Sequence, residues 1–210
     1  MNLKFPEQIP VFPLSGVIYF PNTNLPLNVF EDRYVSLVND VIKTNKLMGM
    51  IQSVNGGHKV YNIGCLGKIS DFRKSNDGRI LLNLTGLTRF EIMKEVDNKK
   101  LYREFNVNYD KFHDDTQISD SLKIETNEVA SLLKKIRIFF DKSGINLNWN
   151  EFENLKDEQK INTLAMIAPI SDGEKQKLLE TVTVNDKIKT LVNIADFYIR
   201  GKNVENLTVQ

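Results

Sequence analysis

Apolar positions change their spacing once along the chain. Up to about residue 115 they come as short runs or alternate with polar residues, the period of strands. Beyond it they recur at helical spacing. Strands first and helices later predict an α+β protein in two parts, 1–115 and 116–210.

In the first part, Ile9–Leu14, Val17–Phe20 and Leu25–Phe30 are short apolar runs interrupted or flanked by Pro10, Pro13, Pro21 and Pro26. Proline cannot donate to a sheet ladder, so these runs are expected as edge strands, bulged strands or sharp corners of a small, strongly bent barrel. Tyr34, Leu37, Val38, Val41 and Ile42 then share one face of a short helix, with Asp32 as its expected N-cap. Leu47–Ile51 reads as a buried strand, Asn55-Gly56-Gly57 as a loop and Cys65–Phe72 as a strand. Asn76-Asp77-Gly78 is the clearest hairpin turn. Ile80, Leu82 and Leu84 alternate after it, with Leu81 and Asn83 on the other face. Phe90 and Ile92 alternate likewise with Arg89 and Glu91, and Phe105, Val107 and Tyr109 repeat the pattern. This is an antiparallel meander with one face buried, and Gly86 marks a bulge or corner in it.

The helical period begins near Ile118. Val129, Leu132, Leu133, Ile136 and Phe140 form one face, with Lys142 and Gly144 as stop signals. Ile161, Leu164, Ala165 and Ala168 form a second helix that Pro169 ends. Ser171 and Glu174 have capping-box spacing and start a third, carrying Leu178 and Leu179. Ile188, Leu191, Val192, Ala195 and Tyr198 form the last, with Gly201 expected after its end. Short connections predict a compact helical bundle.

Composition narrows the function classes. Charged residues make up 26% and the net charge is +1, with no basic arm or acidic tail, so nothing singles out nucleic acid as a partner. No apolar stretch approaches the length of a membrane span and no secretory h-region is visible, so a cytoplasmic protein is expected. One cysteine excludes an internal disulfide and agrees with a reducing compartment.

Familiar catalytic patterns fail one by one. Gly64-Cys65-Leu66-Gly67-Lys68 has a phosphate-loop look, but Lys68 is followed by Ile69 and the residue five before Gly67 is Asn62. Gly64 and Gly67 are therefore expected to permit a bend or close packing. Cys65 with His58 or His113 shows no signature of a nucleophile and base, and is expected as a packed thiol. The two histidines join no Cys/His ligand cluster. Asp110, His113, Asp114 and Asp115 lack a calcium-loop pattern and are expected to solvate the link between the two parts. Lys99-Lys100 near Tyr102 and Arg103 could touch a nucleic-acid backbone, yet short charge runs are usually solvated. The residues alone indicate no catalytic site, cofactor or metal.

Ordered blocks in the first half resemble a known family. Ile9-Pro10-Val11-Phe12-Pro13-Leu14, Val17-Ile18-Tyr19-Phe20-Pro21 and Phe30-Glu31-Asp32-Arg33-Tyr34 are similar to the opening of the Lon protease N-terminal domain. Gly64-Cys65-Leu66-Gly67-Lys68-Ile69, Asp77-Gly78-Arg79 and Gly86-Leu87-Thr88-Arg89-Phe90 resemble its later strands. Asn162–Pro169 and Glu174–Glu180 resemble its stand-alone bacterial members.

The resemblance implies a PUA-like β pseudobarrel with one embedded helix, followed by a C-terminal helical subdomain. It implies a substrate-recognition role without the ATPase and peptidase parts, since no Walker or serine–lysine pattern is present. Unfolded polypeptide or a specific protein partner is the expected ligand, and pairing with an exposed sheet edge is one route to it. RNA binding is the alternative that the PUA-like fold suggests. Phe30, Glu31, Arg33 and Tyr34 are the candidate partner-binding residues. A charged pair at a strand-to-helix junction either locks that junction or faces a ligand.

Overall fold

The computed structural model describes residues 4–116 and 126–205. Contacts divide the chain into two compact units, Met1–Gln117 and Ile118–Gln210. The expected onset of helical period at Ile118 lies outside the described residues.

The first unit contains β1 (Gln8–Leu14), β2 (Asn24–Val29), α1 (Asp32–Ile42), β3 (Leu47–Ser53), β4 (Val60–Lys74), β5 (Ile80–Val96) and β6 (Arg103–Asn108), followed by a 3₁₀ segment at Asp110–Thr116. The sheet order is β2-β5-β4-β3-β1-β6, and β5 also pairs with β6. Five strands thus close into a ring, with β2 attached outside it. Closure is irregular, because β1 runs parallel to β3 while every other pairing is antiparallel. The result is a pseudobarrel with one embedded helix, as the sequence implied.

Three sequence expectations change. First, β1 is an interior strand despite Pro10 and Pro13. Its first half pairs with β6 up to Val11↔Arg103, and its second half pairs with β3 from Val11↔Gly49 onward. The Val107 N–H donates to the Glu7 carbonyl, so alternation turns the odd residues of β1 toward β6. Pro10 therefore turns its nitrogen away from β6, just before the β3 ladder begins. Pro13 turns its nitrogen toward β6, just after that ladder has ended. Neither proline removes a ladder bond. Second, Val17–Phe20 is no strand, although Ile18, Tyr19 and Phe20 are buried. Third, the two strands expected around Gly86 are one strand of 17 residues. Gly86 marks where it exchanges β2 for β6 as neighbour; its N–H donates to Thr23 O and its carbonyl accepts from Asn22 N.

Two apolar clusters fill this unit. One lies under α1 and joins Tyr34, Leu37, Val38 and Val41 to Phe12, Met48, Met50, Ile80, Leu82 and Leu84. The other joins Ile9, Val11, Ile51, Leu66, Phe90, Phe105 and Val107. Strand alternation sends Phe12 to the first cluster and Ile9 and Val11 to the second. Burying side chains of this size contributes roughly 1.5–3 kcal/mol each before entropy is counted. The glycines of the apparent phosphate loop serve this packing. A Cβ on Gly64 would lie 2.5 Å from the Phe90 ring, and one on Gly67 would lie 2.3 Å from the Tyr19 hydroxyl. Cys65 between them is buried, its Sγ donating to Leu66 O at 3.6 Å.

Arg89 and Asp115 overturn a further expectation. By its alternation with Phe90, Arg89 belongs to a polar face, and Asp115 to a solvated link. Instead their side chains are 3% and 5% exposed and paired at 2.7 Å. Arg89 Nε also donates to Asp115 Oδ2 at 2.9 Å, and its backbone N–H donates to the same oxygen at 2.8 Å. The guanidinium lies over the Phe112 ring at 4.2 Å. Charges leave water only with such partners, so the pair pins the 3₁₀ segment onto β5.

The second unit contains α2 (Thr126–Ser143), α3 (Trp149–Glu153), α4 (Asp157–Ile167), α5 (Asp172–Glu180) and α6 (Val184–Glu205). α6 packs against α2, α4 and α5. The expected capping box is present: Ser171 Oγ accepts from Glu174 N, and Glu174 Oε2 accepts from Ser171 N. Short α3 escaped the sequence reading. Gly201 lies inside α6 rather than beyond its end.

Removing either charge of the Arg89–Asp115 pair strands the other in the core. Asp115→Ala or Arg89→Ala is expected to cost about 3–5 kcal/mol, read as a lower urea midpoint at unchanged m-value. An effect of a few tenths of a kcal/mol would show that the pair does not pin this segment.

Candidate functional site

The candidate residues fall at the junction of β2 and α1. The helix N-cap is Glu31 rather than Asp32, and the Glu31 side chain makes no capping bond. It instead accepts from Arg33 Nη2 at 2.7 Å and Nε at 3.0 Å. Both side chains are about half exposed, so this pair is loosely held by water as well as by itself. The Arg33 guanidinium also lies 4.5 Å from the centre of the Tyr34 ring.

Tyr34 faces the other way. It is 5% exposed and belongs to the α1 cluster, edge-on to Phe12 at 4.0 Å. Its hydroxyl donates to the Pro13 carbonyl at 3.3 Å. Burial pushes its pKa up, partly opposed by Arg33. The inward-facing Pro13 oxygen is one that β6 no longer reaches, so Tyr34 satisfies the edge where β1 loses its neighbour. Phe30 is separate again, 65% exposed and pointing away from the α1 core.

Glu31, Arg33 and Tyr34 line one wall of a cleft of about 360 Å³. Phe30 does not line it. Pro13, Leu14 and Ser15 supply the β1 side, Gly56, Gly57 and His58 a loop, and Leu101, Tyr102 and Arg103 the opposite wall. Sequence reasoning missed this opposite wall as part of the site. In the sequence Tyr102 and Arg103 stand out only as neighbours of Lys99 and Lys100. Leu101 is 67% exposed and forms an apolar lip. The Tyr102 hydroxyl donates to Asp40 at 2.8 Å, and burial together with this bond pushes its pKa up to about 12. Arg103 is fully engaged: Nε and Nη2 grip Glu95 at 2.7 and 2.8 Å, while Nη1 donates to the His58 carbonyl at 2.8 Å. That grip holds Glu95 below the usual carboxylate range and raises Arg103. Lys100 Nζ donates to Glu104 at 2.7 Å. Lys100 and Arg103 are therefore neutralised by neighbouring carboxylates.

The cleft thus combines an adjustable ion pair, an apolar lip and two fixed phenols. His58 and His113 are both exposed, whereas Cys65 is buried in the strand. Among the described residues no group of His, Cys, Asp and Glu is placed to hold a metal ion. No helix among them is long and apolar enough to cross a membrane.

Comparisons with known proteins agree with this architecture. The family model for the ATP-dependent protease La (LON) substrate-binding domain matches residues 8–196. The Lon protease of Dictyoglomus thermophilum is 26% identical over 191 residues, which cover 88% of this chain and 24% of that protein. The Lon protease of Desulfosudis oleivorans is 31% identical over 93 residues, 41% of this chain and 11% of that protein. The chain therefore spans about a quarter or less of these Lon proteases. The crystal structure of a Lon N-terminal domain protein from Xanthomonas campestris superimposes with a TM-score of 0.62 at 24% identity, covering 89% of this chain and 97% of that one. The N-terminal domain of the Mycobacterium avium complex Lon protease gives 0.63 at 14% identity, covering 90% and 98%. The chain belongs to the Lon substrate-binding domain family, and the two solved structures share its fold.

Core and surface roles at the junction separate by stability. Glu31→Ala and Arg33→Ala are expected to change the unfolding free energy by no more than about 0.5 kcal/mol. Tyr34→Ala, which empties part of the α1 cluster, should cost about 3–5 kcal/mol. Equal losses in denaturant titrations would refute the division. Tyr102 supplies a pH test. Its pKa rises from 10.0 to about 12 on folding, so its contribution is full below pH 10 and is lost as the pH rises through 12. Tyr102→Phe is expected to flatten the decline of stability across that window, with tyrosinate absorbance reporting the ionisation.

Proposed function

We infer that this member of the Lon substrate-binding domain family is a non-catalytic module that binds unfolded polypeptide or a protein partner displaying an unfolded segment. The observation that carries this reading is the match of a substrate-binding family model to residues 8–196. The surface supports it. Phe30 and Leu101 are large apolar side chains about two-thirds exposed, one just past the end of β2 and the other at the lip of the cleft. Neither belongs to the two cores, and both leave a large apolar side chain in solvent for a partner to cover. The burial of Cys65 removes the one thiol from contact with a substrate. The paired state of Lys100 and Arg103 leaves the nucleic-acid alternative without a free cationic stripe in that region. A cytoplasmic, reducing setting fits a sequence whose single cysteine can form no internal disulfide.

Titration of the full chain with reduced, carboxymethylated α-lactalbumin tests the reading against the native, disulfide-bonded form. The unfolded protein is expected to bind at least about tenfold more tightly, and the complex to survive ribonuclease. Equal affinity for both forms, or no binding of either, would reject the recognition role.

A further inference from the structure

The face of β5 that points away from α1 is covered unevenly. Toward the strand's end, past the bulge that follows Gly86, Phe90 carries it into the second apolar cluster. Toward the strand's start, Asn28 of β2 lies opposite Leu81, and Leu81 lies opposite Arg73 of β4. Their neighbours Val29, Ile80 and Leu82 belong to the α1 cluster, so alternation turns the row of Asn28, Leu81 and Arg73 outward. One step beyond the last pair, Val29↔Ile80, come Phe30 and Arg79. Continuing the register sets Phe30 diagonally across from Leu81, within reach of an aromatic side chain. Phe30 is 65% exposed and Leu81 45%. Arg79 is held by Asp77. Arg73 is exposed, and its side chain has no hydrogen-bond or ion-pair partner among the described residues.

We propose that this face docks an extended polypeptide segment in which an apolar side chain neighbours a carboxylate, the apolar group covering Phe30 and Leu81 and the carboxylate pairing with Arg73. The inference rests on the recognition reading and names the class of segment recognised. A guanidinium offers a planar fork that a carboxylate matches with two bonds. Apolar groups packed beside it exclude water and strengthen the pairing. Strand addition does not compete at this edge. The Gly86 N–H donates to Thr23 O, so the odd residues of β2 face β5 and the even ones face outward. Pro26 thereby removes the central outward donor of the edge. A nucleic-acid backbone needs several free cations, whereas this row offers Arg73 beside Asp71 and Asp77.

The test uses the full chain and two fluorescein-labelled peptides, one alternating phenylalanine and leucine with aspartate, the other with lysine in place of aspartate. Anisotropy at low salt is expected to show the aspartate peptide bound about tenfold more tightly. Arg73→Glu should invert that order, and Phe30→Ser with Leu81→Ser should weaken both peptides. All three side chains are on the surface, so an unchanged thermal transition confirms that the variants fold. Equal affinities, a preference that survives Arg73→Glu, or displacement by single-stranded oligouridylate would overturn the proposal. If carboxymethylated α-lactalbumin still binds while the peptides are not discriminated, this inference falls and the recognition reading stands. If the unfolded protein also fails, both fall.

Discussion

Everything in the first unit depends on β1 being shared between two half-ladders. β1 is the link between β3 and β6, so the ring is open without it. It must reach across nearly a hundred residues of sequence to pair with β6, a contact of high loop-closure cost. Pro10 and Pro13 are compatible with an interior strand because each places its missing donor on the side that has no ladder at that level. Shifting either proline by one residue would delete a ladder bond and reverse a face. The same handover at Val11 leaves the Pro13 carbonyl without a strand partner, and the Tyr34 hydroxyl fills the place. Closure of the ring, the docking of α1 and the floor of the cleft are thus one arrangement.

The polar groups divide by how completely they leave water. Arg89 and Asp115 are fully withdrawn, so they must satisfy each other and leave no freedom to meet a ligand. Arg103 and Glu95 are partly withdrawn and tie the β5–β6 hairpin to the loop at His58. Glu31 and Arg33 remain half in solvent, where a pair contributes little to stability and can exchange partners at low cost. This gradient separates scaffold from responsive surface more clearly than residue type does, since all three pairs join an arginine to a carboxylate.

Much of this was legible in the chain. Period two in Ile80–Leu84 and period 3.6 in Tyr34–Ile42 report burial directly, because a side chain's face follows from its position in the element. The capping box at Ser171 and the turn at Asp77-Gly78 were legible for local reasons of hydrogen bonding and backbone freedom. Nonlocal features were hidden. Prolines state which donor is missing, but the side on which it is missed depends on a partner far along the sequence. Arg89 alternates with Phe90 as a surface residue would, and only the returning 3₁₀ segment converts its face into interior. Gly201 carries a stop signal, yet α6 continues past it. The four candidate residues were adjacent in sequence and are dispersed in space: a core tyrosine, an ion pair at a cleft mouth and an outward phenylalanine. The opposite cleft wall at Leu101–Arg103 could not be joined to them without the fold.

The distribution of blocked and open groups limits how any extended segment could be held on this unit. Sheet edges offer main-chain hydrogen bonds, which are indifferent to sequence and favour association of like strands. Here β2 presents Pro26 at its open edge, and the open half of β1 presents Pro13, whose carbonyl is already taken. With main-chain pairing suppressed at both places, side chains remain the means of contact on these surfaces. The exposed set, Phe30, Leu81, Met93 and Leu101, is wholly apolar, so it discriminates weakly by shape. Discrimination then has to come from the charges set beside it. On the proposed reading, blunted edges protect the unit from self-association, and the guanidiniums left in solvent decide which segments stay bound.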